Sequence, residues 1–581
     1  MGYGESDTRA KLIDPVLYQR GWTEEHIRRE ETAGAIQVID GVPKKKSKGR
    51  TDYTLRVKVR RDTQPVAVAI IEAKAEDLPP TQGMEQAKCY AASKRLNVPF
   101  VFSTNGHLYV EFDRFTGKTS KPLPLDLFPK PDELRRRYEV GMGFSLDDPA
   151  AKPLLTPYSG GEATRRYYQD AAIRAVMEKL ARSVNEKKPG RALLSLATGA
   201  GKTFIAVNLL KRIADAGQLR RALFVCDRDE LRTQASGALQ NVFGAEAASA
   251  TGGNAQKNAK IIVATYQTLD VDSDQADANF LTRNYPENYF SHIVIDECHR
   301  SAWGKWSAVL KRNPSAVQIG LTATPRHLEC PEDSKEARAD AQITADNFAW
   351  FGEPVYEYDM AQGIEDGYLA ACEIRKGNVN IDNTGITIDE LLARGAANAN
   401  TGELMTRDDL QALYDKTEYE DRLLLPDRVL AMCTDLFAQL LENGGADGDQ
   451  GDQGDQGDQG PEQKTIIFCA RDRHADDVAT AMNNLYADWC KKNGKPIANP
   501  YAFKCTASVG GADYIADLKG ASRSHFIATT VDLLTTGVDV PAVRNIVFFK
   551  YVNSPISFYQ MVGRGTRLDA ATNKLMFRVF D

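Results

Sequence analysis

Short apolar runs alternate with helical patterns over most of the chain. Residues 151–355 contain five runs that fit buried strands: ALLSLA, ALFVCD, KIIVAT, HIVIDE and VQIGLT. Residues 356–581 repeat the alternation with KTIIFC, HFIATT and NIVFF. Continuous apolar strands separated by helices are typical of parallel sheets that are covered on both faces. The pattern therefore predicts two successive α/β domains built on parallel sheets.

The first 150 residues follow another pattern. A helical pattern opens the chain, and the runs after it predict strands at residues 54–59, 66–71, 100–103 and 107–112. Four prolines then fall between residues 122 and 131 and indicate a linker. We therefore expect a separate N-terminal α/β domain over residues 1–150.

The region between residues 376 and 463 has little pattern. It contains four tandem Gly-Asp-Gln triplets that start at Gly448. A glycine-rich, acidic run without apolar residues cannot bury a core. We therefore expect a disordered acidic loop near residues 444–461, inside the last domain.

Composition and charge are those of a cytoplasmic protein with several packed cores. Hydrophobic residues make up 42% of the chain and charged residues 26%, which is ordinary for soluble domains. No apolar run approaches the ~18 residues of a membrane span, so we expect no membrane partner. The nine cysteines form no CxxC pair, which favours reduced thiols. Because the net charge is −6, any contact with DNA must lie in local grooves.

A glycine-rich segment follows the first strand predicted after residue 151. Residues 196–203 read LATGAGKT and lead into the helix FIAVNLLKRI. Glycines let successive backbone N–H groups face phosphate oxygens, and the helix N-terminus adds a positive dipole. We expect Lys202 to reach the β- and γ-phosphates and Thr203 to bind Mg²⁺. Leu196 departs from the common motif, which begins with glycine, and a plain strand–helix turn is the alternative. The expected nucleotide-binding residues here are Thr198, Gly199, Ala200, Gly201, Lys202 and Thr203.

Two adjacent acids end the apolar strand HIVIDE. We expect Asp296 to hold Mg²⁺ through water and Glu297 to polarise the attacking water. The carboxyl end of a strand is where open α/β sheets bind ligands. By itself such a pair is more often a solvated strand end.

Three more segments follow in order: LTATP at residues 321–325, DLLTTGVDVP at 532–541 and QMVGRGTR at 560–567. Arg564 and Arg567 are three residues apart, so on a helix they share one face and can reach one anion. A solvated basic helix is the alternative for this last segment.

The ordered motifs ATGAGKT, DECH, LTATP, TTGVDVP and QMVGRGTR resemble the series of superfamily 2 helicases and translocases over about 400 residues. The resemblance implies two RecA-like domains with ATP and Mg²⁺ between them. Arg564 and Arg567 of the second domain would then complete the site of the first. It also implies that Gln169, in the segment RYYQ, reads adenine, and that Gly537 and Asp539 link DNA to the ATP site. His299 and Gln560 complete the expected nucleotide site.

The N-terminal domain carries a second candidate site. A hairpin that turns near Asp62 would place Asp52 opposite Glu72, with Cβ atoms about 4.5–5.5 Å apart. Like charges that close repel by roughly 4 kcal/mol at an effective dielectric of ~20, which a divalent cation would convert into ligation. Lys74 could then orient water or steady charge on phosphate. A register slip of one residue would undo this pairing, and a charged hairpin rim is the alternative.

Two neighbouring features strengthen this site. Gln86 and Tyr90 stand at helical spacing soon after the strand, and a predicted basic loop at residues 44–50 would suit phosphates. Asp52, the Glu-Ala-Lys at 72–74 and Gln86-x-x-x-Tyr90 resemble PD-(D/E)xK nucleases of the RecB-like branch, although Thr51 stands where that family often has proline. The resemblance implies a Mg²⁺-dependent nuclease with Asp52 and Glu72 as metal ligands and with Lys74, Gln86 and Tyr90 in the catalytic site.

A nuclease of this kind followed by this motor resembles the restriction subunits of type I restriction-modification enzymes. Residues 7–15, 103–106 and 352–358 add to the resemblance. It implies ATP-driven translocation of double-stranded DNA, cleavage away from the recognition site, and methyltransferase and specificity subunits as partners.

The C-terminus departs from that family. The chain stops 14 residues after Arg567, where family members continue with a helical region that docks on the methyltransferase. We therefore expect a fragment that lacks this region. The alternatives are a stand-alone nuclease–translocase of DNA repair or defence and a non-catalytic assembly module with an inactive nuclease site.

Overall fold

A computed structural model provides the coordinates. It describes residues 2–39, 42–92, 95–158, 166–269, 280–298, 303–323, 335–377, 387–410, 421–443, 460–506, 514–535 and 539–581. The chain forms two compact units. The first comprises Met1–Gly34, Ser47–Leu328 and Ala339–Gln362, and the second Ala35–Lys46, Glu329–Arg338 and Gly363–Asp581.

The N-terminal domain is built on a mixed seven-stranded sheet in the order β1-β2-β3-β4-β5-β6, with β7 paired to β5. β2 and β3 are antiparallel, whereas β3 and β4 are parallel. The strands are β1 (Ile27–Ile39), β2 (Val42–Val57), β3 (Val66–Ala73), β4 (Phe100–Thr104), β5 (Leu108–Asp113), β6 (Lys118–Thr119) and β7 (Leu123–Pro124).

Two predictions for this domain are wrong. Residues 44–50, predicted as a basic loop, belong to strand β2, which pairs with β1. The prediction failed because strand pairing depends on backbone hydrogen bonds, which the charge of the side chains does not reveal. The proline-rich stretch is not a free linker. Phe128 is fully buried with its ring 4.6 Å from that of Phe102, and Trp22 Nε1 donates to Pro129 O at 2.9 Å.

The sheet of the central domain is parallel and has the order β10-β11-β9-β12-β13-β8-β14. The strands are β8 (Arg191–Leu196), β9 (Ala222–Cys226), β10 (Ala247–Ser249), β11 (Ile261–Thr265), β12 (His292–Ile295), β13 (Val317–Thr322) and β14 (Tyr356–Tyr358). All five predicted strands are confirmed. Because β14 pairs with β8, the domain extends past the boundary predicted at residue 355.

The C-terminal domain has a second parallel sheet, in the order β15-β22-β21-β18-β20-β19. Its strands are β15 (Ala371–Arg375), β18 (Thr465–Cys469), β19 (Ala502–Lys504), β20 (Ile527–Thr530), β21 (Asn545–Phe549) and β22 (Met576–Phe580). β16 (Ala397–Asn398) and β17 (Leu423–Leu424) form a small antiparallel pair. The three predicted strands are confirmed.

Helices cover the sheets, as the alternating pattern predicts. In the N-terminal domain they are α1 (Glu5–Thr8), α2 (Asp14–Gln19), α3 (Met84–Ala91), α4 (Pro131–Met142) and α5 (Lys152–Leu155), with a π-helical segment at Arg9–Ile13. The central domain has α6 (Tyr167–Asn185), α7 (Lys202–Asp215), α8 (Asp229–Phe243), α9 (Tyr266–Leu269), α10 (Phe280–Asn284), α11 (Trp303–Arg312), α12 (Lys335–Phe351) and α13 (Met360–Glu365). The C-terminal domain has α14 (Ile388–Ala393), α15 (Pro426–Asn443), α16 (Asp472–Asn493), α17 (Ile515–Gly520) and α18 (Pro555–Val562).

The region predicted to have little pattern is only partly irregular. Helix α15 occupies residues 426–443 and buries Val429, Leu436 and Leu440 against the core of the C-terminal domain. The predicted acidic loop, residues 444–461, lies outside the described residues except for its last two positions. Among the helices that are described, none is long and apolar enough to cross a membrane.

The N-terminal and central domains pack together within the first unit. Arg174 of α6 donates to Asn97 O at 2.9 Å and pairs with Glu178 Oε1 at 2.9 Å. Tyr138 of α4 donates to the same Glu178 oxygen at 2.6 Å. A buried charge that is hydrogen-bonded in this way fixes one packing of the two domains.

Candidate active sites

The glycine-rich loop after β8 has the conformation that a phosphate site needs. Gly199 and Gly201 adopt φ values of 89° and 86°, in the left-handed region that side chains disfavour. Helix α7 begins directly after them at Lys202. The Lys202 ammonium is buried and lies 3.0 Å from Glu297 Oε1. The structure thus brings together the lysine and the acid that the sequence predicted to share one site.

The two acids lie at the carboxyl end of the central strand β12. Asp296 and Glu297 are both buried. Burial, together with the neighbouring charge of Glu297, raises the pKa of Asp296. Glu297 has φ 53°, a strained conformation that concentrates at functional sites. Cys298 N donates to Leu321 O at 2.9 Å, which anchors the acidic loop to the strand that leads into LTATP.

The first residues of helix α6 contact the glycine-rich loop that follows β8. Gln169 is buried, and a Cβ on Gly201 would lie 3.1 Å from its Nε2. Tyr168 donates to Ala200 O at 2.7 Å and stacks on Tyr358, with ring centroids 3.9 Å apart. These contacts place the predicted adenine reader beside the loop.

The tyrosine pair is a feature that the sequence analysis missed. Tyr358 O accepts a hydrogen bond from Ala197 N at 2.7 Å, directly before the loop. The segments RYYQ and GEPVYEY were identified, but nothing in either one indicates that their rings stack.

The structure describes some of the other residues that were predicted to bind the nucleotide, and not all of them. Thr203 is half-buried in the first turn of α7, and Thr198 lies in the turn before it. His299 and Gly537 lie outside the described residues. The loop, the buried ion pair and the amide of Gln169 together fit a nucleoside triphosphate.

The arginine motif of the C-terminal domain does not lie on a helix, contrary to the prediction. Helix α18 ends at Val562, Arg564 lies in the turn that follows, and Arg567 lies just after that turn. A Cβ on Gly565 would come within 2.2 Å of the Phe577 ring, so the glycine lets this turn pack against β22. The helix therefore stops where the turn must approach the sheet.

The arginine turn is joined to the acid of the preceding motif. Arg567 Nε lies 3.2 Å from Asp539 Oδ1. Arg564 Nε donates to the carbonyl of buried Gln560 at 3.2 Å. All four residues belong to the second unit, so their predicted meeting with Lys202 stays a prediction.

Lys574 is a buried residue of this region that the sequence did not reveal. Its Nζ donates to Pro541 O and to Gly565 O, each at 2.8 Å. Burial and the nearby Arg544 lower the pKa of Lys574 to about 7. The side chain thus ties the DVP segment to the arginine turn.

The candidate nuclease acids lie at the end of the ladder between β2 and β3. Tyr53 pairs with Ile71 and Thr54 with Ile70, so the next step of the ladder places Asp52 opposite Glu72. A register shift follows Leu55, but it lies between the acids and the turn and leaves their pairing intact.

Each of the two candidate acids forms an ion pair. Asp52 accepts a hydrogen bond from Ala73 N at 2.7 Å and pairs with Arg9 at 3.0 Å. Lys74 Nζ lies 2.9 Å from Glu72 Oε1. Burial raises the pKa of Glu72 to about 7, and the charge of Asp52 adds to this while Lys74 opposes it. Burial also raises the pKa of Asp52.

The donor set fits a hard divalent cation. Glu72 Oε2 is buried and has no hydrogen-bond partner among the described residues. Mg²⁺ is commonly held by one or two carboxylates and keeps several waters. No cluster of three or more His, Cys, Asp or Glu that could hold a metal occurs among the residues described, so two acids would carry the site. The charge of Glu5 also raises the pKa of both acids, and the sequence analysis missed this residue.

Gln86 and Tyr90 hydrogen-bond each other on the helix that follows the candidate acids. Gln86 Nε2 donates to Tyr90 OH at 3.3 Å on helix α3. Within the described ranges, neither side chain hydrogen-bonds Asp52, Glu72 or Lys74. Gly83, directly before this helix, lies close to Glu72, since a Cβ built on it would be 2.9 Å from Glu72 Cγ.

Comparisons with known proteins identify the family to which the chain belongs. The family model described as "Type III restriction enzyme, res subunit" matches residues 162–327, and the "Helicase conserved C-terminal domain" matches residues 458–569. A solved fragment of an HsdR subunit of a type I restriction enzyme from Vibrio vulnificus is 30% identical, with a TM-score of 0.72; the match covers 100% of this chain and 93% of that one. The chain belongs to the family of type I restriction enzyme endonuclease subunits.

Curated members of the endonuclease-subunit family are longer. The EcoAI endonuclease subunit of Escherichia coli is 30% identical over 591 residues, which cover 99% of this chain and 65% of that protein. The EcoKI endonuclease subunit of Escherichia coli K12 is 28% identical, over 84% of this chain and 41% of that protein. The chain therefore spans less than two thirds of these relatives.

Membership of the endonuclease-subunit family confirms the predicted fold class and the resemblance on which it rested. Helicase families use a nucleotide, and restriction enzyme families typically use a divalent metal. The individual residue roles remain predictions.

Proposed function

We propose that this chain is the motor and endonuclease part of a type I restriction subunit. It hydrolyses ATP to translocate double-stranded DNA and cleaves that DNA away from the recognition site. The observation that carries the proposal is the buried pair of Lys202 and Glu297 under a phosphate-type loop, in a chain that also opposes Asp52 to Glu72.

The Lys202–Glu297 pair supplies a simple switch. Without phosphates, the two buried charges neutralise each other at 3.0 Å. The β- and γ-phosphates of ATP compete for the Lys202 ammonium, which releases Glu297 to polarise the attacking water. Gln169 binds adenine from the start of α6, and Tyr168 holds the loop at Ala200 O. Mg²⁺ near Thr203 and Asp296 would neutralise charge on the phosphates.

Arg564 and Arg567 are proposed to reach the γ-phosphate from the second motor domain. An arginine supplied in this way is worth roughly 10³–10⁵ in rate. Because Arg567 also pairs with Asp539 of the DVP segment, a change in that segment on binding DNA would move the arginine. This coupling would make ATP hydrolysis depend on duplex DNA.

At the second site, Asp52 and Glu72 are proposed to hold Mg²⁺, which would supply Lewis-acid activation of the scissile phosphate. Lys74 then stabilises the charge that develops on the phosphate. Its ion pair with Glu72 also opposes the rise in the Glu72 pKa and so favours the ionised carboxylate that a cation needs.

The proposed partners are double-stranded DNA and the methyltransferase and specificity subunits of a type I complex. Such a motor would not read the recognition sequence itself. A stand-alone nuclease–translocase and a non-catalytic assembly module are the competing functions.

ATP hydrolysis by the full 581-residue chain, with and without duplex DNA and the candidate partner subunits, tests the proposal. We expect duplex DNA to stimulate the release of phosphate from ATP. We expect DNA cleavage to require the partner subunits. ATP-dependent cleavage by the chain alone would favour the stand-alone enzyme. Absence of ATP hydrolysis under every condition would overturn the proposal.

A further inference from the structure

Ser103 lies beside Glu72 in the sheet of the nuclease domain. The parallel strands β3 and β4 pair in a register that aligns Glu72 with Ser103. The Ser103 side chain is fully buried. Its hydroxyl has no hydrogen-bond partner in the described part of the chain, and neither does Glu72 Oε2. Two buried oxygens therefore stay unsatisfied next to the candidate metal site.

Gly83 shows how close these two side chains are. A Cβ built on this glycine would lie 2.6 Å from Ser103 Oγ, 2.9 Å from Glu72 Cγ and 2.7 Å from Lys74 Cε. The position of a Cβ on Gly83 would thus be in contact with all three side chains. Helix α3 begins at the residue after Gly83. The hydroxyl therefore lies beside the acid and the lysine, next to the turn that precedes helix α3.

The neighbouring residue of the strand behaves differently. Thr104 Oγ1 donates to Leu108 O at 2.8 Å and accepts from Gly106 N at 3.1 Å. Its hydroxyl is therefore used by the fold itself. Buried polar groups in native proteins normally have partners, so an unsatisfied hydroxyl next to an unsatisfied carboxylate oxygen points to a ligand that both would share.

We propose that Ser103 is a positioning residue of the nuclease metal site. Its hydroxyl orients the Glu72 carboxylate and the water shell of a hard divalent cation held by Asp52 and Glu72. Groups that orient metal ligands in this way typically contribute 10–100-fold to metal affinity. This inference rests on the proposed nuclease function of the two acids.

The test is calorimetric titration of Mn²⁺ into the nucleotide-free full chain, with thermal unfolding measured in the presence of a chelator. Ser103→Ala should lower Mn²⁺ affinity about tenfold or more. It should leave the metal-free unfolding temperature unchanged or raised, because no hydrogen bond of the fold is lost. Thr104→Val is the matched control from the same strand. It should lower the unfolding temperature and leave Mn²⁺ affinity unchanged.

Glu72→Ala identifies the binding that belongs to this site. If wild-type protein shows no Mn²⁺ binding that Glu72→Ala removes, the proposed metal site is wrong and the role of Ser103 falls with it. If that binding is present and Ser103→Ala retains wild-type affinity, only the role of Ser103 is overturned.

Discussion

Replacing Lys202 with alanine is expected to lower the kcat of ATP hydrolysis by roughly 10²–10³-fold or more, as the loss of one preorganised charge-stabilising donor does. The variant lacks the ammonium that would bind the β- and γ-phosphates. It also leaves Glu297 without the cation at 3.0 Å, which makes the buried carboxylate costly. Phosphate release with saturating duplex DNA measures the effect.

Lys211→Ala is the matched control for this experiment. Lys211 is on the same helix and pairs with Asp215 at the surface. The Lys211→Ala variant should therefore hydrolyse ATP at the wild-type rate. Mn²⁺ binding that depends on Glu72 should survive in Lys202→Ala, because the nuclease acids lie on another sheet. Loss of both ATP hydrolysis and that metal binding would show that the two sites are not independent.

Lys74→Ala is expected to lower DNA cleavage by roughly 10²–10³-fold while ATP turnover continues. The lysine would stabilise charge on the phosphate, and its ion pair with Glu72 at 2.9 Å opposes the rise in the Glu72 pKa that burial causes. Plasmid linearisation and phosphate release, measured together in the assembled complex, separate the two activities.

Lys88→Ala provides the control for Lys74. Lys88 pairs with Glu85 on the exposed side of helix α3, so its removal should preserve cleavage. A Lys74→Ala enzyme that cuts DNA at the wild-type rate would contradict the assignment of this lysine.

The features predicted best from the sequence are those set by local pattern. The strand runs from ALLSLA to NIVFF were found because buried parallel strands are continuously apolar. The pairing of Asp52 with Glu72 followed from the period of two along a hairpin. In both cases the information lies in the order of residues within one strand or one hairpin.

The features that the sequence did not reveal depend on contacts between distant segments. Tyr358 stacks on Tyr168 across the central domain, and Lys574 bonds carbonyls of two other motifs. The strand Met576–Phe580 was not predicted because Arg578 interrupts its apolar run. That arginine is buried and lies 3.0 Å from Glu373 of strand β15, a contact that only the folded sheet reveals.

Two wrong predictions came from applying a local rule where packing decides the outcome. Charged residues 44–50 suggested a basic loop suited to phosphates, yet the backbone continues as strand β2. The spacing of Arg564 and Arg567 suggested one helical face, but the contact of Gly565 with Phe577 requires a turn there. Both errors concern backbone geometry and leave the proposed chemistry of the arginines open to test.

ATP hydrolysis by the Arg567→Ala variant tests most directly whether an arginine of the second motor domain completes the ATP site. We predict that kcat falls about 10³-fold, while the affinity for ATP, measured by titration with a fluorescent analogue, stays within about tenfold. Arg523→Ala, which changes an exposed arginine of the same domain, should match wild type in both. If Arg567→Ala hydrolyses ATP at the wild-type rate, the account of a site shared between the two motor domains is contradicted.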